Sequence, residues 1–416
     1  MKTVPLHQVA EIRLGRQRSP EHYAGNHVVP YLRSANVVDG ALDLSDVNEM
    51  NFSPEEQSIF ALRPGDVLIT EGSGSADSVG ASAVWQGQLA GVVCFQNTLL
   101  RLRPRTDRTD GRYLAWWARH SHGSGQFSHI ASGANIRHLG ADNLRRMRVS
   151  WPDVEAQRRI ADFLDDRVAR IDRIIAARRQ QVELVDDPAS LADLILTQSD
   201  WEHTSSLGRF IDSIEQGWSP QCESVPAGTE EWGVLKVSAV KAGMFLPEEN
   251  KLLPPNEEPR LEYEVKAGDL LVTRANTPRL VGAFAVAPED VRPRLILCDK
   301  IMRLALAGDV EPGFVALVGQ SKRTRDALSM AGTGTSQSMV NIRGDDIRGL
   351  AVPLLSLATQ QERMEGWKQL RASTEEGKAL LQRSIDLLTE YKTSLITAAV
   401  TGELDITTAS RRIPGE

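Results

Sequence analysis

The chain has 416 residues, of which 41% are hydrophobic and 25% charged, and its net charge is −7. At roughly 150 residues per domain this leaves room for two or three cores, and the mix excludes a largely disordered or low-complexity chain. Its apolar runs, such as Val67-Leu68-Ile69 and Leu295-Ile296-Leu297, fall far short of a membrane span of ~20 residues. Met1 to Pro5 carries no apolar leader, and Cys94, Cys222 and Cys298 are scattered and odd in number. No membrane contact, no disulfide framework and a reducing cytoplasm are therefore expected.

In chain order, Pro64-Gly65-Asp66 predicts a turn and Val67 to Thr70 a buried strand. Val92 to Phe95 reads as a further strand, and Tyr113 to Trp117 as a short buried helix. From Glu155 to about Val185 there is neither Gly nor Pro. Leu164, Val168, Ile171, Ile175, Val182 and Val185 form an a/d seam there. The second half follows the same plan: Leu270 to Thr273 and Leu295 to Leu297 as strands, Phe314 to Val318 as a helix, and a long helix from about Gln360 to Ala399. The seam of that helix includes Met364, Trp367, Leu381, Ile385, Leu388 and Leu395.

The halves match as sequences too. Leu62 to Thr70 reads against Val265 to Thr273 at an offset of 203, as do Leu32 to Val37 against Leu235 to Val240 and Asp142-Asn143-Leu144 against Asp345-Asp346-Ile347. Leu100-Arg101-Leu102 faces Met302-Arg303-Leu304 at 202, and Ser19-Pro20 faces Ser219-Pro220 at 200. Matches in one order with slowly drifting offset indicate a duplication. The expectation is an α+β chain with two tandem globules of mixed α/β structure. Each is followed by a long helix, and the two helices pair as an antiparallel coiled coil that acts as a spacer.

No motif for catalysis stands out. Gly72-Ser73-Gly74-Ser75 lacks the lysine of a phosphate-binding loop, and there is no nucleophile elbow. His120, His122, His129 and His138 cluster without cysteines or paired acids at ligand spacing, so polar loops or a DNA-facing surface are expected rather than a metal site. Asp165-Asp166, Asp186-Asp187 and Asp345-Asp346 read as solvated acids. Charge is uneven: residues 101–150 hold 10 Arg and 3 Asp, a local +7 that could form one basic face or be a chance cluster.

What remains are polar, Gly-rich loops at matched places: Glu71 to Ser78 with Arg274 to Arg279, and Ser132 to His138 with Gly332 to Ser338. Arg suits guanine edges and Asn or Gln adenine edges, while Gly admits a phosphate to the backbone. The candidate DNA-contacting residues are Ser73, Ser75, Asn135, Arg137 and His138 in the first half. In the second they are Arg274, Asn276, Arg279, Ser336 and Gln337. Ordinary connecting loops remain the competing reading.

The chain resembles the specificity subunits of type I restriction–modification systems. The resemblance rests on Val4-Pro5-Leu6-His7-Gln8-Val9-Ala10, the Gly65 to Thr70 strand, the segment Val149 to Leu164 with Ile171-Asp172, and the closing Leu395-Ile396-Thr397-Ala398-Ala399-Val400-Thr401-Gly402-Glu403-Leu404-Asp405. It implies target-recognition domains over 1–152 and 201–353, helical regions over 153–200 and 354–416, and a sequence-specific, non-catalytic DNA-recognition subunit of a host-defence DNA methylation and restriction complex. That subunit would read a bipartite, asymmetric site in double-stranded DNA and dock two methyltransferase subunits and restriction (helicase/nuclease) subunits. S-adenosylmethionine and ATP/Mg would sit on those partners, with no cofactor or metal in this chain. Leu164, Ile171, Ile175, Trp367, Leu388 and Leu395 are the candidate partner-binding residues. A subunit of a non-type-I restriction enzyme, a protein-only adaptor and an enzyme in its own right are the alternatives. The first helix departs from the family pattern: it ends at Asp186-Asp187-Pro188 without the Ala-Val-Thr-Gly close of the second.

Overall fold

The computed structural model describes residues 2–19, 24–38, 40–73, 78–133, 137–185, 187–241, 243–336 and 339–406. They fall into two compact units, Met1–Arg179 with Gln382–Glu416, and Gln180–Leu381.

In the first unit a four-stranded antiparallel sheet runs in the order Ala10–Leu14, Leu99–Pro104, Asp66–Thr70, Ser82–Trp85. Gly65 takes φ +93°, and Asp66 closes the turn by accepting from the Arg63 amide at 2.7 Å. Val67, Leu68 and Ile69 are all fully buried, so this strand has a core on each face and reads as a continuous apolar run. Cys94–Phe95, Val28–Leu32 and Asn48–Asn51 form a smaller sheet, and Lys2–Pro5 pairs with Arg148–Trp151. The helix Gly111–Gly123 lays Tyr113, Leu114 and Trp117 on the main sheet, with Trp151 edge-on to Tyr113 at 5.0 Å.

The second unit repeats this plan. Its main sheet runs Ile211–Gln216, Ile301–Leu306, Leu270–Thr273, Phe284–Val286, all antiparallel. Gly268 takes φ +81° and Asp269 accepts from the Lys266 amide at 2.9 Å. Thr204–Ser206 pairs with Ala351–Pro353, as Lys2–Pro5 does with Arg148–Trp151. The duplication read in the sequence is thus a duplication of topology and register.

Matched arginines occupy matched strands. Arg101 is 1% exposed and donates to Glu11 at 2.8 Å. Arg303 donates to Glu215 and Asp269, both at 2.9 Å. Arg103 grips the buried Asp66 through two contacts of 2.7 Å. Arg112 binds Asp162 and Asp165, and Arg145 binds Asp142 and the Ile12 carbonyl. Four of the ten arginines of the basic stretch are therefore engaged in ion pairs within the fold.

The long helices are Val154–Val185 and Leu357–Thr401. Within the first unit, Ile160, Leu164, Val168, Ile171 and Ile175 share a core with Ile385, Leu388, Leu395, Ile396, Ala399 and Val400. Asp172 meets Lys392 at 2.8 Å, and Arg179, two turns further on, shares a cleft with Gln382, Ile385 and Asp386. The two segments therefore run antiparallel. The seam expected along the closing helix divides, however. Met364 and Trp367 pack against the core of the second unit beside Ile195, with Arg371 stacked 5.6 Å over the Trp367 ring. Trp367 does not belong to the helix pair, because the first turns of the closing helix are covered by the preceding globule. The compact units accordingly cut through the helices rather than at globule–helix borders.

After the first long helix the chain restarts. Asp187 accepts from the Ser190 amide at 3.1 Å and Pro188 opens the short helix Pro188–Ile195. Ala192 and Leu196 of this segment are buried in the core of the second unit.

One side chain fastens each globule to its helix. The Gln157 amide donates to the carbonyls of Pro152 and Arg108 at 2.8 and 3.0 Å, and its oxygen accepts from the Asp110 amide at 2.8 Å. Gln360 does the same with Leu355, Asp309 and Glu311 at 2.9, 2.8 and 2.9 Å. Both glutamines are buried.

Candidate nucleic-acid interface

The loops singled out in the sequence meet in space within each unit. In the first, Gly72–Ser73 continues from the buried strand Asp66–Thr70 and pairs antiparallel with Arg137–His138, Arg137 opposite Ser73 and His138 opposite Gly72. In the second, Ala275–Asn276 continues from Leu270–Thr273 and pairs with Met339–Asn341, which in turn pairs with Thr333–Ser336. A polar ribbon thus stands at the same end of both main sheets.

The ribbons are anchored alike. The Leu139 amide donates to the Glu71 carbonyl at 2.9 Å, and the Ile342 amide to the Arg274 carbonyl at 2.9 Å. Leu139 and Ile342 are fully buried. These bonds make Glu71 the structural counterpart of Arg274 and His138 that of Asn341. The frame is shared while the side chains differ.

Of the candidate residues, Arg137 and His138 are exposed on the first ribbon, and Arg274 and Asn276 are half-buried on the second. Arg279 is exposed, and its carbonyl accepts from Arg325 at 2.9 Å. Ser73 and Ser336 lie on the ribbon strands. Ser75, Asn135 and Gln337 lie outside the described residues. Two positions escaped the sequence reading, Glu71 and Asn341. Glu71 was legible only as the first residue of a loop, and Asn341 lies just past the Gly/Ser-rich run.

The histidine cluster divides. His120 is 6% exposed on the helix Gly111–Gly123, so it is neither a loop residue nor free to face DNA. One ring nitrogen contacts the Thr397 hydroxyl at 3.2 Å and the other the Gln126 amide at 3.2 Å. Burial lowers its pKa from the ordinary value, so it bonds as a neutral ring. Among the described residues no three metal-binding side chains cluster. Cys94 and Cys298 are buried, their thiols pushed up to about 12 and about 11 by desolvation.

The candidate partner residues are mostly internal. Leu164, Ile171, Ile175, Leu388 and Leu395 lie in the core of the first unit, between 0% and 8% exposed. Their apolar atoms hold the helix pair together, so they are not themselves exposed to a partner. No helix of the described residues is long and apolar enough to cross a membrane.

Matched polar ribbons on two duplicated sheets, with a pair of long helices, are the features to set beside known proteins. The family model described as "Type I restriction modification DNA specificity domain" matches residues 1–184. The EcoEI specificity subunit of Escherichia coli is 36% identical over 37% of this chain, an alignment that spans only 26% of that relative. The EcoKI specificity subunit of Escherichia coli strain K12 is 24% identical over 92% of this chain and 84% of its own length. The fold is that of a solved structure described as the basis of complex assembly and conformational transition of the type I R-M system, with TM-score 0.67, 16% identity, and coverage of 97% of this chain and 98% of that one. The HsdS subunit from Thermoanaerobacter tengcongensis aligns with TM-score 0.50 and 17% identity over 97% of both chains. Residues 1–184 are thus similar to the DNA specificity domain of type I restriction–modification systems, and most of the chain is similar to their specificity subunits.

Proposed function

We propose that this chain is the non-catalytic DNA-reading subunit of its complex, with each globule reading one half of a bipartite, asymmetric site. The observation that carries this reading is the polar ribbon built at one place on two equivalent sheets with different side chains on each. Unlike readers on one chain give a directional site, whereas a symmetric dimer gives a palindrome. Arg137 and His138 act in one half-site, and Arg274, Asn276 and Arg279 in the other, with Ser73, Ser75, Asn135, Ser336 and Gln337 alongside them. Two methyltransferase subunits dock on the outer faces of the helix pair, where Arg159, Asp166 and Arg173 are exposed. Restriction subunits join through them. S-adenosylmethionine and ATP/Mg belong to those partners, and the complex works in the cytoplasm.

The test is to map methylated adenines at base resolution in DNA exposed to the reconstituted complex. Changing Arg137 to Ala should alter one half-site and Arg274 to Ala the other. Equal change in both half-sites would contradict the two-reader model.

A further inference from the structure

Where the buried strand of the first sheet gives way to its ribbon stands an acid. Glu71 is 9% exposed, and its Oε2 lies 2.9 Å from Nδ1 of His138. A carboxylate only accepts, so the imidazole proton sits on Nδ1 and is donated to Glu71. Gly72 constrains the ring from a second direction. A Cβ there would stand 2.7 Å from Nδ1 and 2.9 Å from Cε1, so the ring lies across bare backbone that no side chain could occupy. The backbone of His138 is fixed as well. Its amide donates to the Ser132 carbonyl at 2.8 Å and its carbonyl accepts from the Ser132 amide at 2.9 Å. The imidazole is nevertheless 55% exposed, and among the described residues only Nδ1 has a partner. What this arrangement leaves available is the Nε2 edge, held in one orientation; in the neutral ring, with the proton on Nδ1, that edge is a lone pair.

The geometry points to His138 as a base-reading residue of the first half-site, with Glu71 as the positioning residue that sets its tautomer and turns Nε2 to the DNA as an acceptor. The inference rests on the reading proposed above and deepens it. In the major groove such an acceptor is matched by the exocyclic amino group of adenine or cytosine and mismatched by the carbonyl oxygens of guanine and thymine. The second ribbon makes the contrast plain. Arg274 stands where Glu71 does and Asn341 where His138 does, so that ribbon offers a guanidinium, which only donates, and an amide, which donates and accepts, where the first offers a carboxylate and an imidazole.

The experiment compares methylated sites at base resolution for complexes carrying wild type, His138→Ala, Glu71→Gln, Glu71→Ala and the Glu71→Gln/His138→Ala pair. His138→Ala should relax one base pair of one half-site, discrimination there falling ~10-fold, with the other half-site intact. Both Glu71 variants should relax that same base pair, since a glutamine amide accepts or donates and no longer dictates the tautomer. The pair should relax it no further than His138→Ala alone. In wild type the base facing His138 should be adenine or cytosine. Glu71→Gln keeps the shape of the side chain, and an unchanged melting temperature will show that the ribbon is intact. A merely structural Glu71 would lower methylation at every site and leave base preference untouched, and that result would overturn the inference. So would relaxation in the half-site governed by Arg274. If wild type methylates no bipartite site, the reading of the whole chain fails. If it does and the His138 and Glu71 variants keep its preferences, only this inference fails.

Discussion

Arg303 shows how single residues hold each sheet. Its guanidinium joins Glu215 of one neighbouring strand to Asp269 in the turn before the other and also donates to the Glu264 carbonyl at 2.8 Å. Arg303→Met removes the cation and strands two carboxylates, so the second unit should lose ~3 kcal/mol, read as an earlier denaturant midpoint. Asp200 gives a pH dependence. Burial alone would raise its pKa, but the Arg363 fork, two contacts of 3.0 Å, holds it below the usual carboxylate range. A depressed folded pKa contributes stability above the unfolded value of ~3.9, and that stability is lost as pH falls through the folded value. Asp200→Asn should therefore destabilise the second unit at neutral pH by about 1.5–3 kcal/mol and flatten its acid decline below about pH 4, both measurable by thermal melts across pH. The thiols provide a third check. Burial disfavours all three thiolates, but Cys94 and Cys298 are buried whereas Cys222 is only half-buried and so within a reagent's reach. A thiol reagent at pH 8 should modify Cys222 alone in the native chain and all three cysteines after unfolding.

At the scale of elements, much of the architecture was legible because burial leaves periodic marks. Strands buried on both faces appear as Val67-Leu68-Ile69 and Leu270-Leu271-Val272, and the helix pair appears as Leu164, Val168, Ile171 and Ile175 at heptad spacing. Trp367 was misread because one helix changes partner along its length while its heptad spacing continues. The ribbons were legible as loops but not as paired strands, since two-residue strands of Gly, Ser, Arg and His have no alternation to detect. The role of the basic stretch was hidden too. Arg101 and Arg137 look alike in sequence, and only strand pairing puts one inside and the other on the ribbon. Gln157 and Gln360 sat in plain view at an offset of 203, yet a polar residue opening a helix carries no sign of burial. Gln157→Leu fills the space but orphans the Asp110 amide and the Arg108 and Pro152 carbonyls. It should cost roughly 2–4 kcal/mol and loosen the link between the first globule and its helix, visible as faster amide exchange at Asp110. Replacing both Ile171 and Ile175 with Asp places charges in the seam, and should separate the helix pair while the sheet of the first unit stays folded. Loss of partner binding with retained strand signals in circular dichroism would show this.

For the whole molecule, duplication is the central feature. The chain carries the same globule twice, on sheets of identical strand order, beside the long helices Val154–Val185 and Leu357–Thr401, and we propose that the globules read DNA and the helices take the partners. Glu71 and His138 on one ribbon and Arg274 and Asn341 on the other are a chemical difference between the two globules at matched places. That proposal is tested most directly by base-resolution mapping of methylated adenines for the wild-type complex beside its Arg137→Ala and Arg274→Ala variants. The account predicts one bipartite, non-palindromic site, with each variant relaxing a different half and leaving the other unchanged. A palindromic or continuous site, or relaxation of both halves by either variant, would contradict it.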